Sequence, residues 1–339
     1  MMRLPWFSYQ MPRSVADAAH ILANEGPKAM LIAGGTDLLP NMKRRHQTPA
    51  TLVSLRHIEG LKKTVNGNGM ALGAALTLTE IVNTPAIRTR YTALYQAAAQ
   101  VATVHLRNSG TIGGNVCLDT RCTYYNQNYE WRKAIDFCLK KEGEICWVAT
   151  ASKRCVAVSS TDTAPALIAL GAKVRLVSSA GEREVMLADF YNNDGIEYLT
   201  RKPDEILTEV LLPDLSGWKS TYWKLRRRGS FDFPVLGVAA AAKLAPDGTV
   251  EDARLVLGAA ASRPVVTKAG EFLQGKKLTD DTIAQAVSMA ASRAKPMDNT
   301  DLEVYWRKQV ATAFVGYALQ EVRGDDMRAT RLRIARQAL

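Results

Sequence analysis

The sequence predicts an α+β fold of two or three domains, and three observations carry that reading. The chain has 339 residues, of which 47% are hydrophobic and 23% charged, the make-up of a folded globular protein. Through the first two thirds, short apolar runs bounded by glycine alternate with amphipathic helical stretches. Beyond a cluster of turn residues at 213–218, strands and hairpins dominate until two long helical segments close the chain.

Each element has a local cause. Residues 14–25, SVADAAHILANE, read as an amphipathic helix with Ser14 as N-cap and Asp17 at the capping-box position. MLIAGGTDLLP at 30–40 is an apolar strand running into a Gly-Gly turn, with no suitable helix expected after it. Such a turn exposes backbone N–H groups and admits close approach of a phosphate. Residues 50–55 read as a strand, and MALGAALTLTEIVN as strand, turn and helix start. Residues 91–104 are Ala-rich and helical in character. A second glycine-rich loop follows in RNSGTIGGNVC at 107–117, where Thr111 and Asn115 flank Gly113-Gly114. Neither loop has the G-x-G-x-x-G spacing of a dinucleotide fold, and each alone reads equally as an ordinary turn. SSTDTAPALIALGAKVRLV at 159–177 reads as loop, helix and strand, with Asp162 either an N-cap or a ligand. A hairpin turning at 179–181 and a strand in EILTEVLLP come next. The last part reads as strands and hairpins from 221, a strand at 250–261, helices at 280–293 and 301–322, and a short basic tail at 327–339.

No apolar run reaches the ~18–20 residues of a membrane helix. The N-terminus lacks the apolar core and cleavage site of a signal peptide, so a cytoplasmic location is expected. The net charge is +11, but the basic residues are scattered and not interleaved with aromatics, and no nucleic-acid partner is expected. Such charge suits an acidic partner subunit or ligand equally well.

The five cysteines, Cys117, Cys122, Cys138, Cys146 and Cys155, all fall in one short stretch. A chain of this size with no mark of secretion does not need a disulfide framework. Structural zinc usually shows a tight C-x2–4-C knuckle, and only the pair Cys117-x4-Cys122, at the loose end of that range, comes near it. Four thiolates at wide, irregular spacing suit an iron–sulfur cube, whose corners are reached from separate loops. Arg121, Arg132, Lys133, Lys140, Lys141, Lys153 and Arg154 stand near in sequence to offset cluster charge. Inert buried thiols remain the plain alternative.

IAGGTDLLP, RNSGTIGGN and the D-x-APALIAL stretch resemble the signature segments of the FAD-binding medium subunits of molybdenum hydroxylases, the relatives of xanthine dehydrogenase and carbon monoxide dehydrogenase. FSYQMPRSVADAAHIL, YWKLRRRGSFDFPVLGVAAA and DNTDLEVYWRKQVATAFV resemble other parts of these subunits, so the likeness spans nearly the whole chain. The cysteine-bearing insert, beginning CLDTRCTYYNQ, is similar to that of 4-hydroxybenzoyl-CoA reductase beta subunits, which carry an extra 4Fe-4S cluster.

The resemblance implies a two-subdomain FAD-binding module (1–57 and 58–216, the insert at about 117–157) of the PCMH/VAO-like type. A C-terminal domain of the CO-dehydrogenase-flavoprotein type follows at 217–339. It places FAD on Ile32, Ala33, Gly34, Gly35, Thr36, Asp37 and Leu38 and on Thr111, Ile112, Gly113, Gly114 and Asn115. Thr123, Asp162 and Lys224 are implied as further flavin contacts. Cys122, Cys138, Cys146 and Cys155 would ligate the 4Fe-4S cluster, with Cys117 a non-ligating neighbour of the flavin.

The function implied is electron transfer within an aryl-CoA reductase, with the substrate chemistry on another subunit. Its partners would be a molybdopterin-binding large subunit and a 2Fe-2S small subunit in a dimer of heterotrimers. A ferredoxin donor is expected to dock at Lys140-Lys141. Two alternatives stand beside it: the flavin subunit of an oxidising molybdenum hydroxylase, and a zinc-stapled nucleic-acid-binding module.

Overall fold

A computed structural model describes residues 3–336; the last three positions of the basic tail lie outside the described residues. Three sheets follow one another along the chain. The first is parallel, with strands β1 (Ser8–Gln10), β2 (Ala29–Ile32) and β3 (Thr51–Ser54) in the order β1-β3-β2. Parallel strands need a crossover, and helix α1 (Val15–Glu25) carries the chain from β1 to β2, on either side of β3. Ser14 caps it by accepting the Asp17 N–H at 3.0 Å, and Ala18, Ala19 and Leu22 form its buried face. Helix α2 (Leu38–Lys43) starts directly after the first Gly-Gly turn. The sequence reading expected no suitable helix after this turn; Pro40 falls in the first turn of the one that forms, where a proline is tolerated.

The second sheet is antiparallel: β4 (Thr64–Gly67), β5 (Gly69–Gly73), β6 (Lys173–Ser178), β7 (Gly181–Met186) and β8 (Ile206–Pro213), in the order β4-β5-β8-β6-β7. Between β5 and β6 run α3 (Leu78–Asn83), α4 (Pro85–Arg90), α5 (Thr92–Ala99), α6 (Val104–Arg107), α7 (Ile112–Val116), α8 (Tyr129–Ala134) and α9 (Thr163–Ala169). Thr77 and Glu80 close a full capping box on α3. The helix expected over 91–104 stops at Ala99, and Ala102 takes a positive φ of 45° before Thr103 caps α6.

The third sheet, order β12-β11-β10-β9, is antiparallel: β9 (Trp218–Leu225), β10 (Leu236–Leu244), β11 (Val250–Gly258) and β12 (Val265–Val266). It is followed by α10 (Ala269–Leu273), α11 (Asp280–Ala291), α12 (Val304–Arg323) and α13 (Arg328–Ala335).

Strand β10 explains why its sequence is nearly all small and apolar. Val238, Ala240 and Ala242 join one core with residues of α11 and α12, while Ala239 and Ala241 join another with α5 and α9. A strand covered on both faces loses the usual alternation of apolar and polar residues. This two-sided burial locks the third sheet against the helices that follow the first glycine segments. Among the described residues, no helix is long and apolar enough to cross a membrane.

Candidate functional site

The two glycine segments, more than seventy residues apart in sequence, touch. A Cβ on Gly34 would overlap the Ser109 carbonyl oxygen and lie 3.0 Å from Gly110 Cα. Position 34 therefore tolerates no side chain without moving one backbone against the other. Gly113 is as tightly held, since a Cβ there would lie 2.7 Å from Ala74 Cβ and 2.8 Å from its carbonyl oxygen. The second segment was expected to be a loop. Gly113-Gly114 instead lie in α7, where the Thr111 hydroxyl accepts the Gly114 N–H at 3.1 Å. Gly114 is exposed, whereas Ile112, Gly113 and Asn115 are buried.

Asn115 does not point to solvent. Its Oδ1 accepts from Thr161 Oγ1 (2.8 Å), Thr163 N–H (3.1 Å) and Thr163 Oγ1 (2.6 Å), tying the second glycine segment to the start of α9. Asp162 occupies the N-cap position of α9 but makes no capping bond. Its carboxylate accepts from Tyr222 Oη at 2.8 Å and Lys224 Nζ at 2.9 Å. Lys224 also donates to the Gln100 carbonyl at 3.0 Å. Both side chains are sealed from water. Burial pushes the Asp162 carboxyl above its usual range and the Lys224 ammonium below its own, and their mutual attraction opposes both shifts. The pair joins the second glycine segment to the third sheet.

The cysteine insert leaves and rejoins the fold through a two-residue bridge: Arg121 N–H donates to Val158 O at 2.8 Å and Val158 N–H to Arg121 O at 2.7 Å. Arg121 is buried; its guanidinium pairs with Asp37 and donates to Asn41 Oδ1 at 2.9 Å. The base of the insert is thereby anchored on the first glycine turn and on α2.

Inside the insert, Cys122, Cys138, Cys146 and Cys155 line one cavity with Tyr125, Lys140, Trp147 and Ala157. All four thiols are buried and none is in a disulfide. Burial pushes the Cys122 thiol up to about 11 and the Cys155 thiol up to about 12. Backbone N–H groups point at the sulfurs in partial compensation: Tyr124 and Tyr125 at Cys122, and Ala157 at Cys155, 3.4 Å away. Among the described residues, no three His, Cys, Asp or Glu side chains are grouped to hold a single metal ion. Cys117 stands apart from the cavity, at the end of α7, and burial raises its thiol to about 11.

Residues 5–215 match the model of the FAD binding domain in molybdopterin dehydrogenase, and residues 220–322 that of the CO dehydrogenase flavoprotein C-terminal domain. The chain belongs to this flavoprotein family. It is 33% identical over 291 residues to the aldehyde oxidoreductase FAD-binding subunit PaoB of Escherichia coli, covering 82% of this chain and 89% of that one. It is 29% identical to the nicotinate dehydrogenase FAD-subunit of Eubacterium barkeri, over 89% of this chain and 91% of the other. The fold superimposes on a carbon monoxide dehydrogenase from Hydrogenophaga pseudoflava with a TM-score of 0.78, at 25% identity, across 94% of this chain and 98% of that one. The chain is thus an FAD-binding oxidoreductase subunit of the molybdenum hydroxylase family. At Gly34 a Cβ would meet the Ser109 carbonyl oxygen and at Gly113 it would meet Ala74, so the packing of the protein itself requires glycine at both positions.

Within this flavoprotein the structure corrects one sequence expectation and relocates another. Lys140 cannot serve as an exposed docking cation. Its side chain is only 6% exposed, and its Nζ donates to Asp119 Oδ1 (2.9 Å), Thr120 Oγ1 (2.9 Å) and the Gly195 carbonyl. Lys141 is partly exposed and paired with Glu142. The ammonium of Lys140 is consumed in pinning the insert to the chain that leaves α7. Thr123 is exposed, and it is its backbone N–H, donated to Asn299 O at 2.9 Å, that engages the structure.

Several contributors had no local signal. Gly195 presses on Cys155, with its N–H donated to the Cys155 carbonyl at 2.9 Å; a Cβ at 195 would lie 2.6 Å from Cys155 Sγ. His46 comes from just beyond α2 to stack on Tyr125, ring centroids 4.2 Å apart, with Nε2 3.1 Å from the Gln127 carbonyl. Burial first, and then the charges of Arg132 and Arg44, lower its pKa from 6.5 to about 4.

The sign of the resulting pH dependence follows directly. Unfolded His46 binds a proton below its ordinary value and the folded form does not, so its stabilising contribution is full above pH 6.5 and is lost as pH falls toward 4. The shift corresponds to roughly 3 kcal/mol. Thermal midpoints measured between pH 7 and 4.5 are expected to fall less steeply in His46→Phe than in the wild type; parallel slopes would reject this assignment.

Proposed function

We propose that this chain is the electron-transfer subunit of a molybdenum-dependent dehydrogenase or hydroxylase, holding FAD on its glycine segments and one 4Fe-4S cluster in the cysteine cavity. The observation that carries the reading is the interlock of Gly34 with the Ser109–Gly110 backbone. It brings both signature segments into one cradle, from which Arg121 leads to the cysteine insert. When bound, FAD accepts electrons in pairs and releases them singly.

The chain's own groups hold and insulate the site. Asp37, Thr36 and the Thr111-capped start of α7 would line the cradle, and the buried Asp162–Lys224 pair fixes the start of α9, to which Asn115 is hydrogen-bonded. Cys122, Cys138, Cys146 and Cys155 supply four thiolates, with N–H donors aimed at two of them. Substrate chemistry then falls to a molybdopterin-binding large subunit, and a 2Fe-2S small subunit completes the route, in a dimer of heterotrimers. The dehydrogenase and oxidoreductase relatives favour electrons leaving substrate and exiting through the flavin subunit.

A second reading, the aryl-CoA reductase supplied by a ferredoxin, is favoured by one feature, the cysteine insert. The exposed ring of Trp147, next to Cys146 and lining the cavity, gives a small redox carrier a place to approach.

Protein purified without oxygen is expected to contain one FAD with about four iron and four acid-labile sulfide per chain. Cys146→Ser is expected to lose most of the iron and keep the flavin. Iron-free, colourless cavities would reject the cluster, and equal FAD loss in Cys146→Ser would show that the two sites are not separate. In the assembled enzyme, stopped-flow reduction of the flavin by substrate or by reduced ferredoxin decides the direction.

A further inference from the structure

The connection between α11 and α12 reaches across to the cysteine insert and touches it at two places. Asn299, 3% exposed, accepts the Thr123 N–H on its backbone carbonyl at 2.9 Å and donates its side-chain Nδ2 to the Val156 carbonyl at 2.6 Å. Thr123 follows Cys122, and Val156 follows Cys155. One residue from the C-terminal part of the chain thus holds both segments that lead into the cavity from its open ends.

Its own position is fixed from behind. Arg307, 2% exposed in the first turn of α12, donates to the Met297 carbonyl at 2.8 Å, and the same carbonyl accepts the Asn299 N–H at 2.7 Å. Asn299 Oδ1 is buried without a partner. A buried unsatisfied oxygen is a cost that an apolar residue of similar size would avoid. The residue's value therefore lies in the amide donor on the other side.

We propose that Asn299 is a positioning residue of the cluster site, a staple that keeps Cys122 and Cys155 facing one another. The proposal rests on the cluster reading above. The Arg121–Val158 bridge fixes the insert at its base, and Lys140 fixes its middle to Asp119; Asn299 fixes the segments that immediately follow two of the thiolates. Aspartate at 299 matches asparagine in shape but turns an oxygen toward the Val156 carbonyl, so it fails as a donor.

The test compares wild type, Asn299→Ala and Asn299→Asp in the assembled enzyme, purified without oxygen. Iron, acid-labile sulfide and FAD are counted, and the rate of iron loss to a ferrous chelator is followed. Both variants are expected to keep FAD and to lose iron about tenfold faster than wild type, the scale of one lost buried hydrogen bond. Their reduced-state EPR signal is expected to shift as well. Wild type holding iron, with both variants losing it at the wild-type rate, overturns the staple alone. Wild type without iron overturns the cluster reading instead. Should the variants fail to accumulate, amide exchange in the wild type serves: the Thr123 N–H is expected to lose protection when iron is stripped, and unchanged protection overturns the proposal.

Discussion

Gly34→Ala is expected to give a protein that folds but no longer retains FAD. The added methyl would overlap the Ser109 carbonyl oxygen, so the two glycine segments must separate for it to fit. Overpacking of this kind costs about 1–3 kcal/mol in stability when the neighbour can yield, and here the neighbour is backbone. The same displacement opens the cradle, and a binding constellation has to be held to within ~0.5 Å to work. The check is flavin per chain after gel filtration, with the thermal midpoint measured on the same sample. Retention of stoichiometric FAD by Gly34→Ala would reject the cradle. Gly114 provides the internal contrast: it is exposed, and a Cβ there would meet only the Thr111 hydroxyl, at 3.0 Å. Gly114→Ala is expected to alter flavin affinity far less than it would if the two glycines were equivalent.

Lys224→Met is expected to destabilise the chain by about 3–5 kcal/mol, because it leaves the Asp162 carboxylate buried with only the Tyr222 hydroxyl as donor. Asp162→Asn combined with Lys224→Met removes both charges and is expected to recover a large part of that loss, since a matched neutral pair escapes the desolvation cost. The sign with pH follows from burial. In Lys224→Met the folded-state pKa of Asp162 rises further above its unfolded value of about 4. The folded state then binds the extra proton, so the deficit is smallest near pH 4 and grows as pH rises through the folded-state value. Urea titrations of the single and double variants at pH 5 and 8 measure both effects. A single-variant loss equal to that of the double variant, or one independent of pH, would show that the pair is not coupled as the geometry requires.

Much of this molecule was legible in one dimension because its causes are local. Ser14 and Thr77 each mark a helix start by offering a side-chain acceptor to N–H groups a few residues on, and no distant residue is needed for that. The alternation in β6 and β7 and the turn between them belong to the same class. Where local rules failed, a neighbour had overruled them. Gly113-Gly114 form a helical turn, against their low propensity, because Thr111 caps it and Ala74 fills the space a side chain would need. Asp162 abandons capping for a lysine sixty-two residues away. Lys140, read from sequence as a surface charge, is buried by Asp119, Thr120 and Gly195.

By itself the sequence determined the kinds of chemistry available: two glycine pairs able to admit phosphate, four widely spaced thiols, and an acid and a lysine on different segments. These are properties of residue type and spacing, fixed along the chain. Tertiary structure alone decided which of them meet. Gly34 needs to be glycine only because Ser109 arrives beside it, and Cys122 and Cys155 share a cavity only because Arg121 and Val158 close its base. Contact between residues so far apart requires loop closure and a common core, and those depend on the packing of the whole fold rather than on any stretch of it.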